Sequence, residues 1–228
     1  MEIEICCGSI QSAANAKAAG AKRIELCQNL NEGGTTPSYA AIKQCVEELH
    51  VDVYVLVRPR PGNFVYNELE IRNMEEDVRI CKQLGVVGIV VGFLNNDGSI
   101  DTVLTRHFVE LAAPVPVTFH RAFDRCKDWQ QSLEEVISCG CKRILTSGCQ
   151  PTAMEGKEVL KELVTLAGDR ITILAGSGVR PDNVRELVAY TGAREVHGSC
   201  KVRTAGGYDE TCAEEVAALL KNARSITQ

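Results

Sequence analysis

Four junctions in this chain repeat one pattern: a helix-like segment, a glycine, then an apolar strand-like run two or three residues later. They read AKAAGAKRIEL, CKQLGVVGIVV, ISCGCKRILT and VAYTGAREVH, with the glycines at Gly20, Gly85, Gly140 and Gly192. Glycine suits the left-handed residue that ends a helix. The intervals of 65, 55 and 52 residues each hold two strand–helix units, so the chain is built from four similar quarters. Fourfold repetition of (βα)2 implies a closed (β/α)8 TIM barrel rather than an open sheet.

The finer pattern agrees. Strand-like runs fall near residues 2–6, 23–27, 51–58, 88–92, 115–120, 143–147, 171–175 and 195–198. Helical periodicity is read at 11–19, 39–49, 74–84, 101–111, 129–138, 155–166, 183–189 and 210–223. Strict alternation of this kind implies right-handed βαβ units on a parallel sheet. At 228 residues the chain is slightly short for the fold. No Pro/Gly/Ser-rich linker divides it, so residues 1–228 are expected to form a single domain.

Composition narrows the partners. The formal net charge is −5, against the clustered basic surface that nucleic acid requires. No apolar run reaches the roughly 18 residues of a membrane span, and the opening MEIEICCGS lacks the basic and apolar regions of a signal peptide. The eleven cysteines are odd in number and scattered, which fits reduced thiols in the cytoplasm better than a disulfide framework. A homodimer is expected only because twofold assemblies are the commonest.

Alternation along the strands assigns faces. Ile3, Ile5, Ile24, Leu26, Val53, Val55, Val57, Val117, Phe119 and Val196 take the outward, helix-facing parity. The opposite parity sends Glu4, Cys6, Glu25, Cys27, Arg58, Thr118, His120, Glu195 and His197 into the barrel. In this fold the C-terminal strand ends form the functional face. His120 is therefore expected at the mouth with Glu4, Glu25, Arg58, Glu195 and His197. Such buried charges need ion pairs, water or a ligand, and a hydrogen-bonded plug is the structural alternative.

Small residues after strands seven and eight, Gly176, Ser177, Gly178, Gly198 and Ser199, allow backbone N–H groups to approach an anion. Arg58 and Arg60, in VRPRPGNFVY, offer guanidinium forks for a carboxylate or phosphate, although Arg58 alternatively neutralises Glu25 or Glu4. In the long second loop, Thr36 or Ser38 is expected to cap the next helix. Cys6 and Cys27 end neighbouring strands with the same parity, roughly 5 Å apart. Either they are small apolar fillers, or they are a thiolate pair suited to Cu(I).

EIC with Ser9, RIELCQNLNEGGTTPS, VRPRPGNFVY, TFHRAFD, RILTSGC and EVHGS occur in that order, and together they resemble the CutC family over essentially the whole chain. The resemblance implies a cytosolic (β/α)8 barrel with a copper-homeostasis role and Cu(I) ligands at Cys6 and Cys27, with His120 or His197 assisting. Two departures stand out: Cys7 follows Cys6, and Ser177 interrupts a run that is all glycine in many members. The alternative is an enzyme acting on a small anionic or phosphorylated metabolite. His120, Glu4, Glu25, Arg58 and His197 would then be catalytic, and Arg60, Gly176, Gly178, Gly198 and Ser199 would hold the anion. Arg121 and Asp124 would either fix the surroundings of His120 or pair on the rim.

Overall fold

The computed structural model describes residues 1–224. Eight parallel strands close in sequence order into a barrel: β1 (Glu2–Cys7), β2 (Arg23–Leu26), β3 (Asp52–Leu56), β4 (Gly88–Val91), β5 (Val117–Phe119), β6 (Arg143–Thr146), β7 (Thr172–Gly176) and β8 (Glu195–Gly198). β8 returns to β1 with Glu4 opposite His197. Helices α1 (Ile10–Ala18), α2 (Tyr39–Gln44), α3 (Glu68–Leu84), α4 (Thr102–Ala112), α5 (Trp129–Ser138), α6 (Lys157–Ala167), α7 (Val184–Thr191) and α8 (Ala213–Arg224) surround it. All four repeat glycines have positive φ, between 71° and 94°, the geometry that lets a helix stop and the next strand begin. No helix among the described residues is long and apolar enough to cross a membrane.

The outward parity packs as expected: Ile3, Ile5, Ile24, Leu26, Val53, Val55, Val57, Val117, Phe119 and Val196 all join one continuous core between sheet and helices. A separate small apolar cluster inside the barrel contains Cys6, Cys27, Leu56 and Val90.

Three elements differ from the sequence reading. α3 begins at Glu68, six residues before the expected start, because Asn67 and Glu70 form a reciprocal capping box that initiates a helix ahead of its apolar stripe. α2 passes into a π turn over Cys45–Leu49; Ser38, not Thr36, is its N-cap. The last helix starts at Ala213, since β9 (Lys201–Arg203) and β10 (Asp209–Thr211) pair as an antiparallel hairpin. Asp209 is bound there by Lys201 and Arg203 across the hairpin.

Candidate functional site

The inward side chains form two layers. In the lower one, Glu4 is 1% exposed and lies between two arginines. Arg143 Nη1 is 2.8 Å from Glu4 Oε2 and 3.4 Å from Glu195 Oε2. Arg23 Nε lies 3.1 Å from Glu4 Oε2, and Arg23 also contacts Glu195. The Arg143 guanidinium rests over the Tyr54 ring, 3.9 Å from its centroid. Two carboxylates and two guanidinium groups thus close on one another. Glu195 is therefore not in the mouth, where it was expected, but in a charged plug beneath it; Glu4 belongs to the same plug and is also absent from the cavity lining, while its Oε1 meets His197 Nε2 at 3.8 Å, as expected. Arg23, Arg143 and Tyr54 were not picked out from the sequence, although Arg23 shares the parity of Glu25.

The upper layer opens on a cavity of about 440 Å3 lined by Cys6, Glu25, Cys27, Arg58, His120 and His197, together with Leu56, Phe64 and Leu145. Glu25 Oε2 and His197 Nε2 are 2.8 Å apart. Burial alone would drive His197 down and Glu25 up. The hydrogen bond and the opposite charges outweigh it, so His197 is held above and Glu25 below its ordinary value. Both shifts describe a carboxylate–imidazolium pair.

The two thiols sit beside this pair, with Cys6 Sγ 3.9 Å from Cys27 Sγ. Both are free and nearly inaccessible, 4% and 2% exposed. The hydrogen bond with Cys27, followed by burial, pushes the Cys6 thiol well above the usual cysteine range. One ligand atom each from Cys6, Glu25 and His197 lie within 4.8 Å of one another. As arranged, the imidazole of His197 is committed to Glu25, which leaves the thiols as the soft donors.

His120 directly follows β5 at 5% exposure. The Ala122 N–H donates to its Nδ1 at 3.1 Å, which places the proton of the neutral ring on Nε2. Burial and the Arg58 charge lower its pKa to about 4. Gly92 makes room for the ring: a Cβ there would lie 2.4 Å from His120 Cε1 and Nδ1. A buried neutral imidazole thus explains one of the ionisable residues in TFHRAFDR. Asp124 explains another, since it accepts from Arg121 Nε at 2.7 Å, Ser147 Oγ at 2.9 Å and Cys149 N–H at 3.2 Å. It ties the segment after β5 to the segment after β6.

Arg58 does not neutralise Glu25 or Glu4. Its guanidinium turns to backbone carbonyls of the flanking loops, with Nη1 donating to Gly34 O at 2.8 Å and Glu32 O at 3.2 Å, and Nη2 to Gly62 O at 3.0 Å. Arg60, expected to share an anion with it, lies outside the cavity lining and donates to Glu70 and to the carbonyl of Val65. Four residues past the end of β3, the loop rather than strand parity sets its direction. Gly176 is also absent from the lining. A Cβ on it would lie 2.5 Å from Leu145 Cδ1, so it serves the packing of Leu145 and His197.

Gly178, Gly198 and Ser199 do line the cavity, as do Arg180 and Lys201, two cations the sequence reading did not single out. Lys201 is already bound by Asp209 at 2.8 Å. Ser177 takes a left-handed φ of 78° and turns its hydroxyl to Pro151 O at 2.8 Å.

Fold and site define a (β/α)8 barrel protein whose mouth carries a buried thiol pair beside an ion pair, over a cavity of small-molecule size. A profile of the CutC family matches residues 1–202, and the chain belongs to that family. A CutC family protein of Chromobacterium violaceum is 45% identical over 203 residues, covering 89% of this chain and 82% of the relative. A mouse protein named copper homeostasis protein cutC homolog is 42% identical, covering 87% and 73%. Among solved structures, a CutC protein of Streptococcus agalactiae superposes with a TM-score of 0.82 at 36% identity, covering 87% of this chain and 98% of that one. A KDPGal structure, with a TM-score of 0.66 at 18% identity, shares the barrel fold alone.

Proposed function

We propose that this chain handles Cu(I) in the cytoplasm, holding the ion as cargo between Cys6 and Cys27 at the barrel mouth. The observation that carries the reading is the 3.9 Å separation of the two sulfurs. Metal–thiolate bonds of about 2.3 Å, taking zinc as the scale, bridge that gap in a bent two-coordinate arrangement. Cu(I) prefers soft sulfur donors. The histidines are poor further ligands as they stand: His197 is paired with Glu25, and the free nitrogen of neutral His120 carries its proton. All eleven cysteines are free thiols, in keeping with a reducing compartment.

An anaerobic Cu(I) titration of the reduced protein against a competing chelator tests the reading. We expect one tight Cu(I) per chain, lost in Cys6→Ser/Cys27→Ser and kept in Cys126→Ser/Cys149→Ser, which removes two half-buried thiols elsewhere. Because Cys6 is held protonated by Cys27 and by burial, ion uptake releases protons. Affinity should therefore rise with pH, by up to about tenfold per pH unit for each proton released. Binding that is unchanged in the Cys6/Cys27 variant rejects the proposal.

A further inference from the structure

Two half-buried thiols that the copper reading leaves unused lie where the segment after β5 meets the segment after β6. Cys126 and Cys149 both reach the Phe123 carbonyl: the Cys126 N–H donates to it at 3.2 Å, and Cys149 Sγ lies 3.9 Å from it. Asp124 accepts the Cys149 N–H at 3.2 Å, and Cys149 takes a left-handed φ of 59°. These contacts hold the two residues together, and the Cys149 thiol donates a hydrogen bond to the Cys126 sulfur.

Cys126 stands just ahead of Asp128, the N-cap of α5. Its sulfur also accepts from the hydroxyl of Ser132 and from the Asp128 N–H. The hydrogen bond from Cys149 outweighs burial and, with these two donors, brings Cys126 down to about 7. Donating that bond, and then burial, push Cys149 far up. One sulfur is therefore largely thiolate near neutral pH and its partner a thiol, and the thiolate is the nucleophilic form. The pair at the mouth is the opposite case. Cys6 and Cys27 also touch, but both are nearly inaccessible and Cys6 is held protonated. Burial likewise pushes up Cys7, Cys45, Cys81, Cys141 and Cys200. Cys126 and Cys149 keep part of their surface in solvent.

We infer that Cys126 and Cys149 form a redox site: a peroxide oxidises Cys126, Cys149 resolves it, and a reversible disulfide joins the segments after β5 and β6. In the first step the Cys126 thiolate attacks a peroxide oxygen. An S–O bond forms, the O–O bond breaks, the sulfur gives up two electrons, and hydroxide leaves. In the second step the Cys149 sulfur displaces the new hydroxyl group. The S–S bond forms, the S–O bond breaks, and the oxygen leaves as water with the Cys149 proton. Two thiols and one hydrogen peroxide thus give one disulfide and two waters. A dithiol reductant restores both thiols by exchange. Transient disulfides of this kind are the usual ones in a reducing compartment. The site uses neither Cys6 nor Cys27 and does not depend on copper.

The test treats metal-free, reduced protein with equimolar hydrogen peroxide near pH 7 in the presence of a chelator. Remaining thiols are then alkylated and the linkages mapped by peptide mass spectrometry. We expect linked peptides joining Cys126 to Cys149, with both thiols recovered on adding dithiothreitol. In Cys149→Ser, dimedone should label a sulfenic acid at Cys126. Cys126→Ser should slow thiol loss about tenfold or more, because thiols held well above neutrality carry little thiolate. Cys6→Ser/Cys27→Ser should react at the wild-type rate, so failure of the copper reading leaves this one standing. The wild-type map does not depend on the folding of any variant. Four results overturn the inference: a main linkage at Cys6–Cys27, or at Cys200–Cys212, where the Cys212 N–H meets the Cys200 carbonyl at 2.9 Å; thiol loss spread evenly over the chain; an unchanged rate in Cys126→Ser; or no dimedone label at Cys126.

Discussion

The two layers of the barrel interior are built from the same kinds of residue and end in opposite states. In the lower layer, Glu4, Glu195, Arg23 and Arg143 balance one another in charge, and the guanidinium of Arg143 is stacked on Tyr54. In the upper layer, Glu25 and His197 pair, but Cys6, Cys27, Arg58 and His120 face a cavity. Ionisable side chains inside a barrel are thus not a site in themselves. A layer whose charges close on one another fills the barrel, and a layer that lines a cavity leaves room for a ligand.

The comparison is broken most severely by removing one cation from the plug. Arg143→Met leaves Glu4, which is 1% exposed, with Arg23 shared between two carboxylates. Leaving a buried charge without its partner costs about 3–5 kcal/mol. Urea unfolding should show a loss of that size, whereas Glu4→Leu/Arg143→Met, which removes both charges, should lose less. Cu(I) stoichiometry of the folded fraction should stay unchanged. A stability loss in Arg143→Met below about 1 kcal/mol, the range of an exposed pair, would show that the plug is not what holds the lower layer.

How much of this was legible in the sequence follows from the same division. Strand parity fixes direction, so the inward set and the convergence of Cys6, Cys27, Glu25, His120 and His197 could be read from alternation. Depth could not: Glu195 was placed one layer too high, and Glu4 reaches His197 only from below the cavity lining. One partner of Glu4, Arg23, is its register neighbour on β2, but the other, Arg143, is 139 residues away across the barrel, and no local pattern encodes a contact across a closed sheet. Arg58 and Arg60 lie past the end of β3, where loop conformation replaces parity. The capping box at Asn67 and Glu70 was legible in principle, whereas the β9–β10 hairpin has strands too short for alternation to reveal.

A second prediction sharpens the contrast through pH. Glu25 is held below its ordinary value, so its contribution to stability is present above the unfolded carboxyl value of about 4.3 and is lost as pH falls through the lower folded value. His197 is held above its ordinary value, so its contribution is present below about 6.5 and is lost as pH rises through the higher folded value. The pair therefore stabilises most between these limits. Glu25→Gln should cost about 1.5–3 kcal/mol near pH 6, with the difference from wild type shrinking on either side. The arginine-based plug should show no such alkaline decline, because guanidinium groups stay charged. A pH-independent cost in Glu25→Gln would mean that the pair is not ionised.

The smallest effect is expected where function is expected. Cys6 and Cys27 line a cavity that already exists, so trimming them to alanine enlarges an open space rather than creating a sealed void, and the cavity penalty of a core deletion largely disappears. Their mutual hydrogen bond is lost from both ends at once, so what is abandoned is the long contact of Cys27 Sγ to the Cys7 carbonyl at 3.6 Å and the Cys6 contact to Glu25, which keeps His197. In metal-free protein, Cys6→Ala/Cys27→Ala should therefore unfold within about 1 kcal/mol of wild type, in the range of substitutions away from tight packing. With one equivalent of Cu(I) present, wild type should gain stability and the variant should not, since an ion bound only to the native state adds its binding free energy to folding. A loss of several kcal/mol without metal would instead make the thiol pair part of the packed interior, and the difference between the layers would be one of polarity alone.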